Sequence, residues 1–549
     1  MGTFILKNYF KDYLALYPSV SSFLGNRKKD CELENILSHS HNIRYGKMMR
    51  KYEKLIDNYK GVKDIDYQIM KWILKDNRDA TTYPLNMTPL TSFENCIIDF
   101  AFVNKTLYPL ESEGDIKNLL IRHILFKEYI ELCIRKMHVG INQKHVLPKM
   151  ICKQVIESIQ TFYDENKYIL SVPKNLQNTE TYKSYLSYMK TDYKSILLKL
   201  LNFMKNKYYS QCRNTIGLCG LPKGKNMYKY MVRNMTTLDI TPDYVHRLGF
   251  QEVKRLSMEL NSVKVLLGYP VTMSLPEFNK KMMESSKSYY NNETKLMTDY
   301  KRIQKEIDEE VIPKNFHKDV ESYAIKRVPM TMEATSAGAF YYPGSILNNN
   351  RKGTFFINLR NLKENAKYNM LALSLHEGKP GHHYHFQYMI EAKLPIYRQY
   401  AVDGTAFAEG WALYAESLGN YKGNPYEYFG KLNYEMFRAV RLVVDSGIHY
   451  YNWTYKEAVD YMVEHVALAQ SEIETEVQRY ICIPAQALCY KVGERKIISL
   501  KKRYIAAFGD SEINIKNFHK LVLEEGVIPL SILEKKINKV IIARTKERE

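Results

Sequence analysis

The chain has 549 residues, 45% of them hydrophobic and 26% charged, which excludes a disordered, collagen-like or coiled-coil protein as a whole. At roughly 100–200 residues per domain it holds three or four domain-sized units, or one large helical body cut into two lobes, and it buries a core without disulfide or metal staples. Its formal charge of +20 is dispersed, with only Arg27-Lys28-Lys29 and Lys501-Lys502-Arg503 as short clusters, and no run reaches the roughly 18 apolar residues of a membrane helix, so no specific nucleic-acid partner and no membrane insertion are expected.

The first residues, Met1 to Lys7, carry neither a basic segment before an apolar core nor a small-residue cleavage site, and Leu6 stands where a myristoylation signal wants Ser or Thr. An intracellular, cytoplasmic location is expected. The eight cysteines (31, 96, 133, 152, 212, 219, 482 and 489) form no C-x-x-C pair and read as small apolar residues in a reducing compartment.

Residues 1–210 read as an N-terminal helical lobe: apolar residues recur three and four apart, as in 116–137 and 182–209, with breaks at 85–89 and near Pro173. A turn-rich joint over 211–242 ends in Thr241-Pro242, a helix cap followed by proline at the first helical position. Residues 211–549 read as a second, catalytic helical lobe. Within it, about 327–360 is β-branched and aromatic, with Gly353–Leu359 as its clearest strand, and helical spacing returns from Glu364. The fold expected is mainly α: a large multi-helical, two-lobed body with a small β-sheet next to the metal-site helix.

The chemistry concentrates at about 364–420. An apolar helix runs into His376-Glu377-Gly378-Lys379-Pro380-Gly381-His382-His383-Tyr384-His385, four of the chain's 14 histidines within ten residues. A catalytic zinc takes three protein ligands plus a water, and a His-Glu pair on a helix places the glutamate over that water as general base. Pro380 occupies the position one turn after His376, where a second imidazole normally stands. In a straight helix His383 would lie about 10 Å further along, so the metal reading requires Pro380-Gly381 to bend or bulge the helix and return His382 or His383 to the ion. A second amphipathic helix over Gly404–Glu416 carries Glu409 and Glu416 seven apart on one face; Glu409 is the expected third ligand, and Glu416 either orients an imidazole or is a solvated charge.

This pattern, HExxPGHH followed by EGWALYxE, resembles the largely bacterial family called domain of unknown function 885, regarded as zinc metallopeptidases. Further likeness lies in Tyr13–Pro18 with Phe23-Leu24-Gly25, in Leu221–Gly224, in Thr236-Thr237 through Thr241-Pro242, His246 and Gly249, in Arg438–His449, and in Glu476–Tyr480 with Pro484–Ala487, Tyr490 and Gly493. The resemblance implies a helical body akin to the gluzincin peptidases, with the site in a cleft between lobes. Ala485 stands where the family usually has Gly, a departure expected to matter little.

One Zn²⁺ per chain would then be held by His376, Glu409 and one of His382 and His383. Glu377 would be the general base, and Arg479 and Tyr480 the donors to the developing oxyanion. His449 and Tyr490 are further candidates for substrate contact that read equally as core polar residues. Arg441 and Asp445, four apart, are expected to pair on one helix face. The strand bearing Phe356 and Asn358 is expected either to accept an extended peptide at its edge or to be an ordinary sheet strand. The activity expected is a zinc-dependent peptidase on short peptides. An amidase or deacylase would use the same site; a binding protein would have no need of Glu377; a basic nucleic-acid binder has no motif in its favour.

Overall fold

The structure is a computed structural model that describes residues 2–330, 333, 338–344, 352–402 and 404–546. It is mainly α-helical with one small sheet. Among the described residues no helix is long and apolar enough to cross a membrane. The chain divides into two compact units, residues 1–227 with 481–483, and residues 228–480 with 484–549.

The first unit is helical throughout. Its longest element, Glu113–Asn142, starts at a capping box in which Ser112 and Asp115 satisfy each other's backbone donors. Ile116, Leu119, His123, Phe126, Ile130, Cys133 and Met137 line its buried face at three- and four-residue steps. Ser38 and Asp64 cap His39–Asp57 and Ile65–Ala80 by accepting from the His41 and Tyr67 amides. Glu180–Tyr188 continues through a wide turn at Met189–Tyr193 into Lys194–Phe203, so the single segment expected over 182–209 is one long helix with a bulge.

The second unit is built on Pro425–His449, every residue of which from Arg438 to His449 is buried. Pro242–Leu266 packs along it and begins as the sequence indicates: Thr241 Oγ1 accepts from the Tyr244 amide 3.1 Å away, with Pro242 following. Thr405–Glu416 crosses Cys489–Phe508 where Gly410 meets Gly493; a Cβ on Gly410 would stand 2.5 Å from the Gly493 Cα. Only glycine at both positions permits that approach.

The expected pairing of Arg441 with Asp445 does not form. Arg441 turns to Glu476 Oε2 at 3.1 Å and to the Tyr480 hydroxyl at 3.1 Å, while Asp445 accepts from the Tyr228 hydroxyl at 2.5 Å and the Ala485 amide at 3.1 Å. Both residues are interior, and each takes the partner that the neighbouring elements present. Ala485 itself sits at φ +68°, in the left-handed region that disfavours a side chain, which gives the family's usual glycine there a backbone reason and corrects the expectation that alanine is immaterial.

The sheet has three strands, β1 (Ala324–Arg327), β2 (Ala339–Tyr342) and β3 (Thr354–Ile357), in the order β1-β3-β2. β3 runs parallel to β1 and antiparallel to β2. It starts earlier in the chain than expected; parts of the expected region (331–332, 334–337 and 345–351) lie outside the described residues. Because β3 is central, both its edges are occupied and it has none to offer a peptide. All eight cysteines are free, four of them buried and four part-exposed.

Candidate metal centre

The apolar helix expected before the histidines spans Met370–Glu377, with Met370, Ala372, Leu375 and His376 buried. It does not merely kink. It ends at Gly378, and a separate helix, His382–Glu391, starts after Gly381. Pro380 supplies no amide to continue the first helix, and Gly381 passes so close to the Leu375 and His376 carbonyls that any Cβ would collide with them. The second helix is therefore free to set its own angle, and that angle selects the ligand.

His382 is brought to His376, and His383 is not. The two rings lie 4.9 Å apart between centroids and nearly perpendicular. Glu409 Oε2 lies 3.5 Å from His376 Nε2 and 3.4 Å from His382 Nε2, and one donor atom from each residue falls within 4.8 Å of the others. Bonds of about 2.0–2.1 Å at tetrahedral angles place donor atoms about 3.3–3.5 Å apart, which the two distances from Glu409 Oε2 match. Glu409 Oε2 is buried and accepts no hydrogen bond, an orphaned lone pair that a cation would satisfy. His383 instead donates from Nε2 to the Glu321 carbonyl at 2.6 Å and accepts at Nδ1 from the Tyr341 hydroxyl at 3.0 Å, and burial pushes it down to about 4. This places it outside the metal group.

The surroundings fix the three donors. His376 Nδ1 donates to Glu416 Oε1 at 2.7 Å, and Glu416 is only 1% exposed, so Glu416 orients the imidazole and is no solvated charge. Burial opposes charge on His376, but the Glu409 carboxylate close by and the hydrogen-bonded Glu416 outweigh it and lift the group to about 9. Trp411, on the helix of Glu409, donates from Nε1 to the Pro380 carbonyl at 2.8 Å and ties the loop between the two histidines to the third ligand's helix. Lys379 in that loop is buried against Asp319 at 2.9 Å and Asp308 at 3.2 Å. Glu377 Oε2 accepts from the Tyr341 amide at 2.9 Å, which ties the carboxylate to β2, and its charge is among the causes that raise His376. Trp411 and Tyr341 escaped the sequence reading; the tryptophan's place two residues after Glu409 was the available signal, and Tyr341 had none.

The other candidates are placed differently from expectation. Arg479 spends its donors on Glu476 (2.8 and 3.1 Å) and on Gln486, and the Tyr480 hydroxyl donates to Glu476 at 2.8 Å. Both are thus committed within the protein, because Glu476 is the acid nearest to them. Burial, and after it the Glu409 charge, raises the Tyr490 phenol above its ordinary value. His449 is buried, with Nε2 2.8 Å from the Tyr480 carbonyl and its ring stacked on Tyr228, which makes it a core residue. Asn358, 3% exposed, donates to the Glu333 carbonyl at 2.8 Å and accepts from the Arg360 amide, and Phe356 stacks on Phe340 across the sheet. The contacts of both lie within the sheet and its flanking loops.

The fold has solved counterparts. A candidate lipoprotein from Colwellia psychrerythraea is 22% identical, covering 99% of this chain and 99% of its own with a TM-score of 0.86. A candidate lipoprotein of unknown function from Shewanella oneidensis is 16% identical, covering 97% of this chain and 99% of its own with a TM-score of 0.79. At these identities the likeness is one of fold. No curated protein sequence matches the chain. The family model described as "Bacterial protein of unknown function (DUF885)" matches residues 18–537, and the chain belongs to that family.

Proposed function

We propose that the protein is a zinc-dependent hydrolase of peptide or amide bonds, with short peptides as its substrates. The observation that carries this reading is the grouping of His376 Nε2, His382 Nε2 and Glu409 Oε2 with Glu377 alongside: three donors spaced for one tetrahedral ion, and a carboxylate where a general base is needed. When bound there, zinc lowers the pKa of a coordinated water towards about 7 and polarises the scissile carbonyl.

The protein's own residues do the rest. Glu377, oriented by the Tyr341 amide, takes a proton from the attacking water and passes it to the leaving nitrogen, so that acid and amine depart neutral overall. Glu416 keeps His376 in the tautomer that turns Nε2 towards the metal. Tyr490 is the group available to donate to the oxygen that gains charge. The edge position of β2, whose Tyr341 amide faces Glu377, favours a peptide over a compact amide, since an extended chain can lie along it.

Metal content of the purified protein tests the reading, alongside His376→Ala, His382→Ala and Glu409→Ala. The expected result is one zinc per chain, lost in each variant, and cleavage in a peptide library that Glu377→Gln abolishes while keeping the metal. A protein that takes up no metal even after zinc is added back would overturn it.

A further inference from the structure

A separate feature lies in the first unit, on the outer side of His39–Asp57. That helix buries Met48, Met49, Tyr52 and Ile56. Lys47, Arg50, Lys51 and Lys54 follow at steps of three, one and three residues along the opposite, exposed side, and Lys60 adds a fifth cation just beyond its end. Together with Phe4 of Gly2–Leu16 they line a shallow groove of about 850 Å³ that contains no acidic side chain. Of the five cations only Lys51 has an ion-pair partner among the described residues, Asp12 at 2.6 Å. Large apolar side chains stand out among these charges: Phe4 is 65% exposed, Leu55 43% and Val62 79%.

Unpaired like charges on one helix side repel each other and lower stability slightly, and exposed Phe and Val lower solubility, so neither feature is explained by folding. Their combination matches one kind of surface. Cations gain about fivefold in partitioning each beside an anionic leaflet, and protruding apolar tips enter the boundary between headgroups and acyl chains. A nucleic acid would use the cations but has nothing to offer Leu55 or Val62.

We infer that this face docks the protein onto a membrane surface of anionic lipids, with Lys47, Arg50, Lys54 and Lys60 meeting the headgroups and Phe4, Leu55 and Val62 inserting. Docking is peripheral and reversible, because among the described residues no helix is long and apolar enough to cross the bilayer, and it weakens with salt as the exposed charges are screened. It is independent of the metal reading.

Flotation with vesicles of phosphatidylcholine alone, and of phosphatidylcholine with phosphatidylserine, tests this on the full-length protein at rising salt. The expected result is capture by the serine-containing vesicles only. Lys47→Glu with Lys54→Glu, a change of four charges, lowers it by nearly three orders of magnitude, and Phe4→Ser with Val62→Ser lowers it severalfold at unchanged salt dependence. All four side chains are exposed, so circular dichroism should be unaltered. Absence of capture at low salt, or capture indifferent to both double variants, overturns the inference. So does single-stranded RNA bound as tightly as the vesicles, with the Phe4/Val62 variant unaltered on both, which would mark the face as a general polyanion surface.

Discussion

At the scale of single residues, the second metal ligand turns on a choice between adjacent histidines. His382→Ala is expected to abolish zinc binding, whereas His383→Ala retains one zinc per chain and loses the hold on Tyr341; elemental analysis of the two variants separates them. Glu416→Gln replaces the carboxylate beside His376 with a neutral amide and is expected to weaken metal affinity about 10–100-fold, read by competition with a chelator of known affinity. Asp445 supplies a pH prediction. Burial raises it from the ordinary value of 3.8 to about 7, against the lowering effect of its bonds from Tyr228 and Ala485. The folded state therefore binds this proton more tightly than the unfolded chain, and stability falls as pH rises from about 4 to about 7, then levels, by on the order of 4 kcal/mol in total. Asp445→Asn should flatten that slope in denaturant titrations run across this range; an unchanged slope would mean the carboxyl titrates normally. Ala485→Gly should raise stability by about 1 kcal/mol, by relieving the left-handed backbone at φ +68°.

At the scale of elements, the site depends on two junctions. One is the Gly378–Gly381 break, which turns one expected helix into two and sets the angle of His382. The other is the crossing of Thr405–Glu416 over Cys489–Phe508 at Gly410 and Gly493, which positions Glu409. Gly410→Ala pushes a methyl into the Gly493 backbone, an overpacking expected to cost about 1–3 kcal/mol. Because Glu409 is the preceding residue, zinc affinity should fall with stability, measured by thermal unfolding with and without metal. The sheet shows the same dependence on neighbours. Its β-branched and aromatic composition identified Gly353–Leu359 as strand, but composition does not say whether a strand is central or at an edge; of the two readings of that strand, the order β1-β3-β2 leaves the ordinary sheet strand.

At the scale of the whole molecule, the metal group belongs entirely to the second of the two units. A ligand that binds only the folded state stabilises it by about 4 kcal/mol when present at a thousandfold excess over its dissociation constant. Calorimetry with and without chelator should therefore shift the transition of the second unit by several degrees and leave that of the first in place.

The sequence by itself determined the helical character of both units, through three- and four-residue apolar spacing and side-chain caps such as Ser112 and Thr241. It pointed to the candidate donors as well, through four histidines in ten residues and Glu409 on the helix that follows, and its motifs carry the family. The tertiary structure decided which donors meet. His376 and His382 are separated by a loop whose turn angle no spacing encodes, Glu416 reaches His376 across 40 residues, and Trp411 reaches Pro380 across 31. It also decided that Arg441, Asp445, Arg479 and His449 face partners inside the protein. The physical reason is common to these cases. A buried polar group takes whatever partner the packed neighbours present, and that is a property of how elements cross, which local sequence leaves open.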